Sequence, residues 1–227
     1  MPRYVRAKFK GSVFFFTVVL AERPSNLLVD QIDRLRQAYR TVQQRRPFET
    51  VAVCVLPDHI HALWALPHGD ADFSTRWSLI KSLSSRGLDA RPRSASKVGK
   101  REKGIWQRRY WEHAIRDDAD LERHVDYIHF NPVKHGHLTR VADWPHSSFH
   151  RHVERGSLAA DWGGDMKGVE VRLANEWWAR RKSAFAHPTV VQGTVRKCSA
   201  IAIFAVHANL LPTKPRYPRE KPADEPT

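Results

Sequence analysis

Acidic residues, cysteine and long apolar runs are all scarce in this sequence. It has 24 Asp and Glu against 38 Lys and Arg in 227 residues, a formal net charge of +14 with neutral histidines. Its two cysteines, Cys54 and Cys198, form no Cys-x-x-Cys pair, which argues against a disulfide framework or a structural zinc site. No run approaches the ~18 apolar residues of a membrane span. We therefore expect a cytoplasmic protein without membrane association, whose basic surface binds a polyanion such as nucleic acid or, alternatively, only keeps it soluble.

The order of hydrophobic patterns predicts an α+β fold. Strand-like runs occupy residues 12–20, 50–56, 59–66 and 105–115, and Pro57-Asp58 marks a hairpin turn between the second and third. Helical spacing follows Ser25 or Asn26 up to residue 45, recurs over 72–85, and returns after Asp117-Asp118 until Pro132. This order indicates a ferredoxin-like sandwich, with helices packed on a largely antiparallel sheet.

Two stretches lack such a pattern. Residues 86–109 hold nine basic and two acidic residues, half of the net charge, and 86–104 reads as a flexible basic linker. After about residue 165 the sequence has one helical pattern around 171–184 and then a Pro-rich stretch without expected structure. We expect one domain over 1–165, and a C-terminal extension over 166–227 that is partly helical and then disordered.

Two pairs of residues carry candidate chemistry. Alternation along a strand places His59 and His61 on one face, where two imidazoles can share a metal ion or simply form a polar strand end. On the third helix, Arg123, Tyr127 and Asn131 share a stripe beside the apolar one. A phenol next to a metal-bound phosphate is a nucleophile, whereas Tyr127 on its own would read as a half-buried helix aromatic.

Four segments together resemble a known family. They are VLPDHIHALWALP at 55–67, HVDYIHFNPVKHG at 124–136, RRPFE at 45–49 and IWQRRYWEHAIRD at 105–117. In their order along the chain they resemble the REP-associated tyrosine transposases, which belong to the single-tyrosine branch of the HUH enzymes. The resemblance extends from about Arg3 to residue 165. The resemblance implies a ferredoxin-like core that binds single-stranded DNA hairpins and cleaves a strand through a 5′-phosphotyrosine.

The resemblance also implies roles for individual residues. His59 and His61 correspond to the paired histidines of the HUH motif, Tyr127 to the nucleophile, and Asn131 to the amide metal ligand. Magnesium or manganese is implied, since hard cations suit oxygen ligands and phosphate. Tyr110, in the WQRRYW segment, is the alternative nucleophile, but no metal-ligand type follows it four residues later.

DNA binding is expected to combine basic and aromatic side chains. The preferred residues are Arg3, Tyr4, Arg6, Arg108 and Arg109. Trp77 and Trp106 could also stack on bases, although a core position is the favoured interpretation of both. The 86–104 linker either clamps a hairpin stem or is a solvated loop. A monomer is favoured over a dimer.

Three functions compete for this sequence. The first is a metal-dependent endonuclease and strand transferase that acts on REP-type hairpins. The second is a hairpin-binding protein of the same fold that does not cut. The third, a small-molecule hydrolase built around His-x-His, lacks further Asp or His ligands and leaves the charge unexplained.

Overall fold

The computed structural model describes residues 12–163 apart from 93 and 101. The predictions for Arg3, Tyr4, Arg6 and the 166–227 extension lie outside the described residues.

A four-stranded antiparallel sheet with the order β2-β3-β1-β4 forms the centre of the fold. The strands are β1 (Val13–Val19), β2 (Glu49–Val55), β3 (His59–Ala65) and β4 (Trp111–Ala114). The helices are α1 (Leu27–Asp30), α2 (Ile32–Arg45), α3 (Phe73–Ser84), α4 (Ala95–Gly99), α5 (Asp118–Lys134) and α6 (Phe149–Glu154), with a 3₁₀ turn at Val141–Asp143. Strands and crossovers follow one another as in the ferredoxin-like fold. The predicted α+β sandwich is confirmed.

One face of the sheet packs against α2 and α3. Phe16 of β1 and Trp64 of β3 are fully buried there, together with Tyr39 of α2. Trp77 of α3 is 0% exposed and stacks on Trp64, with ring centroids 4.3 Å apart and ring planes 13° apart. Trp77 therefore belongs to the core, the position that the sequence favoured for it, and is not available to stack on DNA bases.

Helix α5 packs on the opposite face of the sheet. Its apolar residues Leu121, Val125 and Ile128 join Phe15 and Leu63 in a second core cluster. Since strand side chains alternate, every second residue of β3, starting at His59, faces this helix. The sheet thus separates a mainly apolar layer from a layer in which polar groups meet α5.

Helix α5 runs two residues beyond Pro132, where the sequence pattern predicted its end. Asp117 caps its first turn by accepting a hydrogen bond from the Asp120 backbone N–H at 2.7 Å. Pro132 removes only one backbone donor, and its fixed φ fits a helix, so the last turn continues. The helix finishes before Gly136, whose φ of +71° suits the residue that follows a helix.

The remaining differences from the predicted elements concern their lengths. The first helical segment is interrupted at Gln31, which divides it into α1 and α2. The predicted strand 105–115 pairs continuously only over β4, and Trp106 forms an isolated bridge with Leu20. The basic 86–104 segment contains the short helix α4. Within the described part of the chain, no helix combines the length and apolar character needed to cross a bilayer.

Candidate active site

His59 and His61 lie side by side on β3 and face α5. Their exposed fractions are 5% and 3%, and their ring centroids are 4.8 Å apart. His59 Nδ1 donates a hydrogen bond to Asp58 Oδ1 at 2.6 Å, and His61 Nδ1 is hydrogen-bonded to Thr17 Oγ1 at 3.1 Å. Because Nδ1 is engaged in both rings, Nε2 is the atom through which each can coordinate a metal ion.

Tyr127 of α5 lies over the same pair of histidines. Its ring is half-buried and meets the His61 ring edge to face, with centroids 5.1 Å apart. Phe15 supports the phenol from β1 at a centroid distance of 5.9 Å. The Nζ atom of Lys134, two turns further along α5, lies 5.1 Å from the centre of the phenol ring. A candidate nucleophile, a cation and two metal-binding groups therefore meet at one point.

Asn131 lies one helical turn after Tyr127 and is fully buried. It lies close to His59, where its amide partly offsets the lowering of that histidine's pKa by burial. Within the described residues, however, neither Oδ1 nor Nδ2 of Asn131 completes a hydrogen bond. An unsatisfied buried amide costs about 1–3 kcal/mol, so such a group in a native fold is normally completed by an ordered water or an ion. A cation held next to His59 would satisfy its oxygen.

Burial controls the protonation state at His59. Desolvation lowers the pKa of His59 below its ordinary 6.5, although the hydrogen bond to Asp58 acts in the opposite direction. Burial on its own would raise the pKa of Asp58, but hydrogen bonds from Arg23 and His59 outweigh it and hold that pKa below the ordinary 3.8. At neutral pH His59 is thus a neutral imidazole beside a carboxylate, the form that ligates metals.

The donor set fits a divalent cation. His59 and His61 supply two imidazole nitrogens, and Asn131 supplies one buried amide oxygen. An amide oxygen together with phosphate oxygens suits magnesium or manganese, while the imidazoles also accept softer ions. This chain therefore has the groups needed to hold such an ion beside Tyr127.

Similarity to known proteins identifies the family. Residues 14–131 match the family model described as "Transposase IS200 like", a range that begins in β1 and ends at Asn131. The chain is 48% identical over 167 residues to a Haemophilus influenzae protein assigned to the REP-associated tyrosine transposases, covering 73% of this chain and 95% of the relative. The chain belongs to the REP-associated tyrosine transposases.

Two further members of this family match over similar lengths. The REP-associated tyrosine transposase of Escherichia coli K12 is 48% identical over 166 residues, which is 73% of this chain and 93% of the relative. A solved structure of a REP-associated tyrosine transposase bound to a REP hairpin superposes with a TM-score of 0.64. Its identity is 46%, and the match covers 75% of this chain and 96% of that one. The family inferred from the sequence motifs is confirmed.

A second group of residues that could bind a metal ion lies where β4 meets the N-terminal half of α5. The ligand atoms of His113, Asp120 and His124 all lie within 4.8 Å of one another. Asp120 accepts hydrogen bonds from His113 Nε2 at 2.9 Å and Arg116 Nε at 3.1 Å, and Arg123 Nη2 lies 3.4 Å from its other oxygen. Two guanidinium groups already neutralise this carboxylate and would repel a cation. In this family member the cluster therefore joins β4 to the start of α5.

The alternative nucleophile Tyr110 lies on the other face of the sheet. It packs partly buried against Phe16 and Trp77 in the apolar layer. The two histidines and Tyr127 lie on the α5 face, so the sheet separates Tyr110 from the candidate metal ligands. This placement favours Tyr127 over Tyr110.

The DNA-binding candidates that the structure describes lie away from the site formed by His59, His61 and Tyr127. Arg108 and Arg109 are exposed, and Arg108 pairs with Glu102 at 2.9 Å. Trp106 is half-buried and donates its indole N–H to Ser85 Oγ at 3.0 Å. Their contacts with DNA remain predictions.

Several neighbours of the site were not among the sequence-predicted residues, including Asp58, Thr17, Lys134 and His135, whose ring centroid lies 5.3 Å from that of His59. Asp58 could have been noticed, because it directly precedes the His-x-His motif. Thr17 is 44 residues away from His61 in sequence and becomes its neighbour only through the β1–β3 register.

Proposed function

We propose that this family member is a metal-dependent single-stranded DNA endonuclease and strand transferase that cleaves REP-type hairpins through Tyr127. One observation carries the proposal. Within a single chain, α5 brings Tyr127 and the buried, unsatisfied Asn131 onto the face of β3 that carries His59 and His61. The relative whose structure contains a REP hairpin supports hairpin DNA as the partner.

The proposed reaction is a transesterification in which the Tyr127 proton is lost and the leaving 3′ oxygen gains one, so that no net oxidation or hydrolysis occurs. The Tyr127 hydroxyl oxygen attacks the scissile phosphorus and loses its proton. The P–O3′ bond breaks, the 3′ oxygen leaves as a hydroxyl, and the 5′ end stays on the protein as a phosphotyrosine. Attack by a 3′-hydroxyl on that phosphotyrosine reverses the step and joins strands. A divalent ion, when bound, polarises the phosphate as a Lewis acid.

The protein must also make a weak nucleophile reactive. A phenol has an ordinary pKa of about 10 and is protonated at neutral pH. Lys134 Nζ lies 5.1 Å from the centre of the Tyr127 ring, where its positive charge attracts the incoming phosphate. Our proposed DNA contacts are Arg108 and Arg109, together with Arg3, Tyr4 and Arg6, which lie outside the described residues. These contacts add salt-dependent affinity.

The proposal extends to the organisation of the chain. The catalytic unit corresponds to 1–165, and 166–227 is an extension beyond it. The candidate nucleophile and the candidate metal ligands come from the same chain, which favours a monomer. Light scattering on the protein with and without hairpin DNA tests this point.

Tyr127→Phe tests the nucleophile directly. The full-length protein is incubated with magnesium and a single-stranded hairpin copied from palindromic repeats beside its own gene, and a denaturing gel reports cleavage and covalent adduct. The wild type should form the adduct, and Tyr127→Phe should bind the hairpin without forming it. Tyr110→Phe, an equal change on the other face of the sheet, should keep the activity.

Two results would overturn the assignment. An adduct in Tyr127→Phe would show that another group attacks the phosphorus. A wild-type protein that binds the hairpin in magnesium but neither cuts it nor forms an adduct would establish the non-cutting alternative. Undiminished cleavage by His59→Ala in magnesium would remove the metal-ligand role of that residue.

A further inference from the structure

Asp58, in the turn between β2 and β3, lies between an arginine and the first histidine of the site. Its Oδ1 accepts the hydrogen bond from His59 Nδ1 at 2.6 Å. Arg23 donates from Nε to Oδ2 at 2.5 Å and from Nη2 to Oδ1 at 3.2 Å. The side chain of Asp58 is 13% exposed and that of Arg23 is 46% exposed. The carboxylate is thus held from one side while it holds the imidazole on the other.

The backbone fixes the same arrangement. The carbonyl of Asp58 accepts a hydrogen bond from the Leu20 N–H at 2.9 Å, which ties the end of β1 to the turn. Arg23 follows three residues later and reaches back to the same aspartate. The backbone contact with Leu20 fixes the turn, and the side chain of Arg23 fixes the carboxylate. The place of the carboxylate beside His59 therefore does not depend on its own rotamer alone.

The two histidines differ in what holds them. His59 donates to a carboxylate, whereas His61 is hydrogen-bonded to the neutral hydroxyl of Thr17. A carboxylate that accepts from Nδ1–H fixes the tautomer with a lone pair on Nε2 and makes that nitrogen a better donor to a metal. A hydroxyl orients the ring but adds no charge. The two histidines are therefore supported unequally, and His59, with its carboxylate partner, has the stronger support.

We propose that Asp58, clamped by Arg23, is a positioning residue that holds His59 in the Nδ1–H tautomer and raises the affinity of the site for its divalent cation. This inference rests on the metal site of the proposed function. It concerns residues that the reaction itself does not use.

The experiment measures metal binding without DNA. Mn²⁺ is titrated into the full-length protein, and the free ion is followed by electron paramagnetic resonance. Loss of such carboxylate support typically weakens metal binding by about 10–100-fold, so we expect that loss for Asp58→Asn. Arg23→Gln leaves the carboxylate in place but unclamped and should lose less. Thr17→Val removes the neutral partner of His61 and should also lose less than Asp58→Asn.

A matched control removes the same charge elsewhere. Glu102→Gln breaks another arginine–carboxylate pair, with Arg108, in the basic segment that carries no candidate ligand. It should bind Mn²⁺ like the wild type. Thermal melts of all variants establish that they are folded at the temperature of the titration.

A second readout reports the tautomer of His59 directly and can be made on the wild-type protein even if Asp58→Asn does not fold. Long-range ¹H–¹⁵N correlation spectra report which ring nitrogen carries the proton, with His59→Gln used to assign the signal. The wild-type protein should show His59 protonated on Nδ1, and Asp58→Asn should show a mixture of tautomers. A purely structural role for Asp58 would not produce this change.

The outcomes separate the two proposals. If the wild type binds Mn²⁺ no better than His59→Ala, the metal site of the proposed function fails. If the wild type binds and folded Asp58→Asn binds equally well, the metal site stands and the positioning role is overturned. If Asp58→Asn does not fold, a wild-type His59 protonated on Nε2 overturns the role, and one protonated on Nδ1 supports it.

Discussion

The buried carboxylate of Asp120 is predicted to be a principal stabilising contact between β4 and the nucleophile's helix. Its side chain is 3% exposed, while those of His113, Arg116 and Arg123 are 26%, 67% and 44% exposed. The backbone N–H of Arg116 also donates to it, at 3.2 Å. These bonds, above all those from His113 and Arg116, outweigh the effect of burial and hold the pKa of Asp120 far below the ordinary 3.8. Asp120→Asn keeps the shape of the side chain and removes the charge.

The expected loss follows from the exposure of each partner. The two arginine side chains are more than one-third exposed and can return to water, so each ion pair contributes at most about 1 kcal/mol. The hydrogen bond from His113 strengthens by about 1 kcal/mol when its acceptor is charged. A negative charge in the first turn of a helix adds about 0.5 kcal/mol. We therefore expect Asp120→Asn to lower the free energy of unfolding by about 2 kcal/mol at pH 7.

Urea unfolding followed by circular dichroism measures this difference. Since the pKa of Asp120 is lower in the folded than in the unfolded protein, its contribution is complete above about pH 5 and is lost as pH falls below about 4. The difference between wild type and Asp120→Asn should shrink over the same range. Glu122→Gln, an exposed change on the same helix, should alter stability by less than about 0.5 kcal/mol.

Two results would refute this reasoning. A loss at pH 7 no larger than that of Glu122→Gln would mean that the Asp120 contacts contribute nothing beyond ordinary surface charge. A loss of the expected size that persists unchanged to pH 2 would mean that the amide's geometry, and not the missing charge, destabilises the fold.

Two further predictions concern backbone strain and acid sensitivity. In urea unfolding, Gly163→Ala should lower stability by about 1–3 kcal/mol more than Gly69→Ala. Both glycines have positive φ, but a Cβ at Gly163 would lie 2.8 Å from Val141 Cγ2, whereas a Cβ at Gly69 would meet open space. Equal losses would contradict this prediction. Burial lowers the pKa of His124 and His152 from 6.5 to about 4, so stability should fall between those pH values by up to about 1.4 kcal/mol per pH unit for each histidine. Replacing His152 with Gln should reduce that slope, and a flat stability profile from pH 6.5 to 4 would contradict the assignment of buried neutral histidines.

The sequence pattern correctly predicted the strands and helices in which buried and exposed residues recur at regular spacing. The expected strand 12–20 and helix 72–85 correspond to β1 and α3 within two residues. The run 105–115 is apolar enough to suggest one long strand, but Ile105 packs into the core from outside the sheet ladder. Burial without strand pairing cannot be distinguished from a strand by composition alone.

Long-range neighbours could not be predicted in the same way. His59 and His61 are two residues apart, and Tyr127 and Asn131 one helical turn apart, so each pair is visible as local spacing. The hydrogen-bond partner of His61 is set by the register between β1 and β3. The partner of Asp58 is set by the path of the chain after β1, which brings Arg23 back to the turn before His59. Thr17 and Arg23 reach the site only through those tertiary contacts.

The apolar residues between the histidines determine which way the site faces. Ile60, Ala62 and Trp64 fill the layer under α2 and α3, and Trp64 is fully buried between its aromatic neighbours there. A one-residue slip of β3 would turn Trp64 toward α5 and both histidines into that apolar layer, where neither could be solvated. The packing of the opposite face therefore sets the register that turns both imidazoles toward Tyr127. We infer that the packing of Ile60, Ala62 and Trp64, as much as the histidines themselves, determines which side chains of β3 face the candidate metal site.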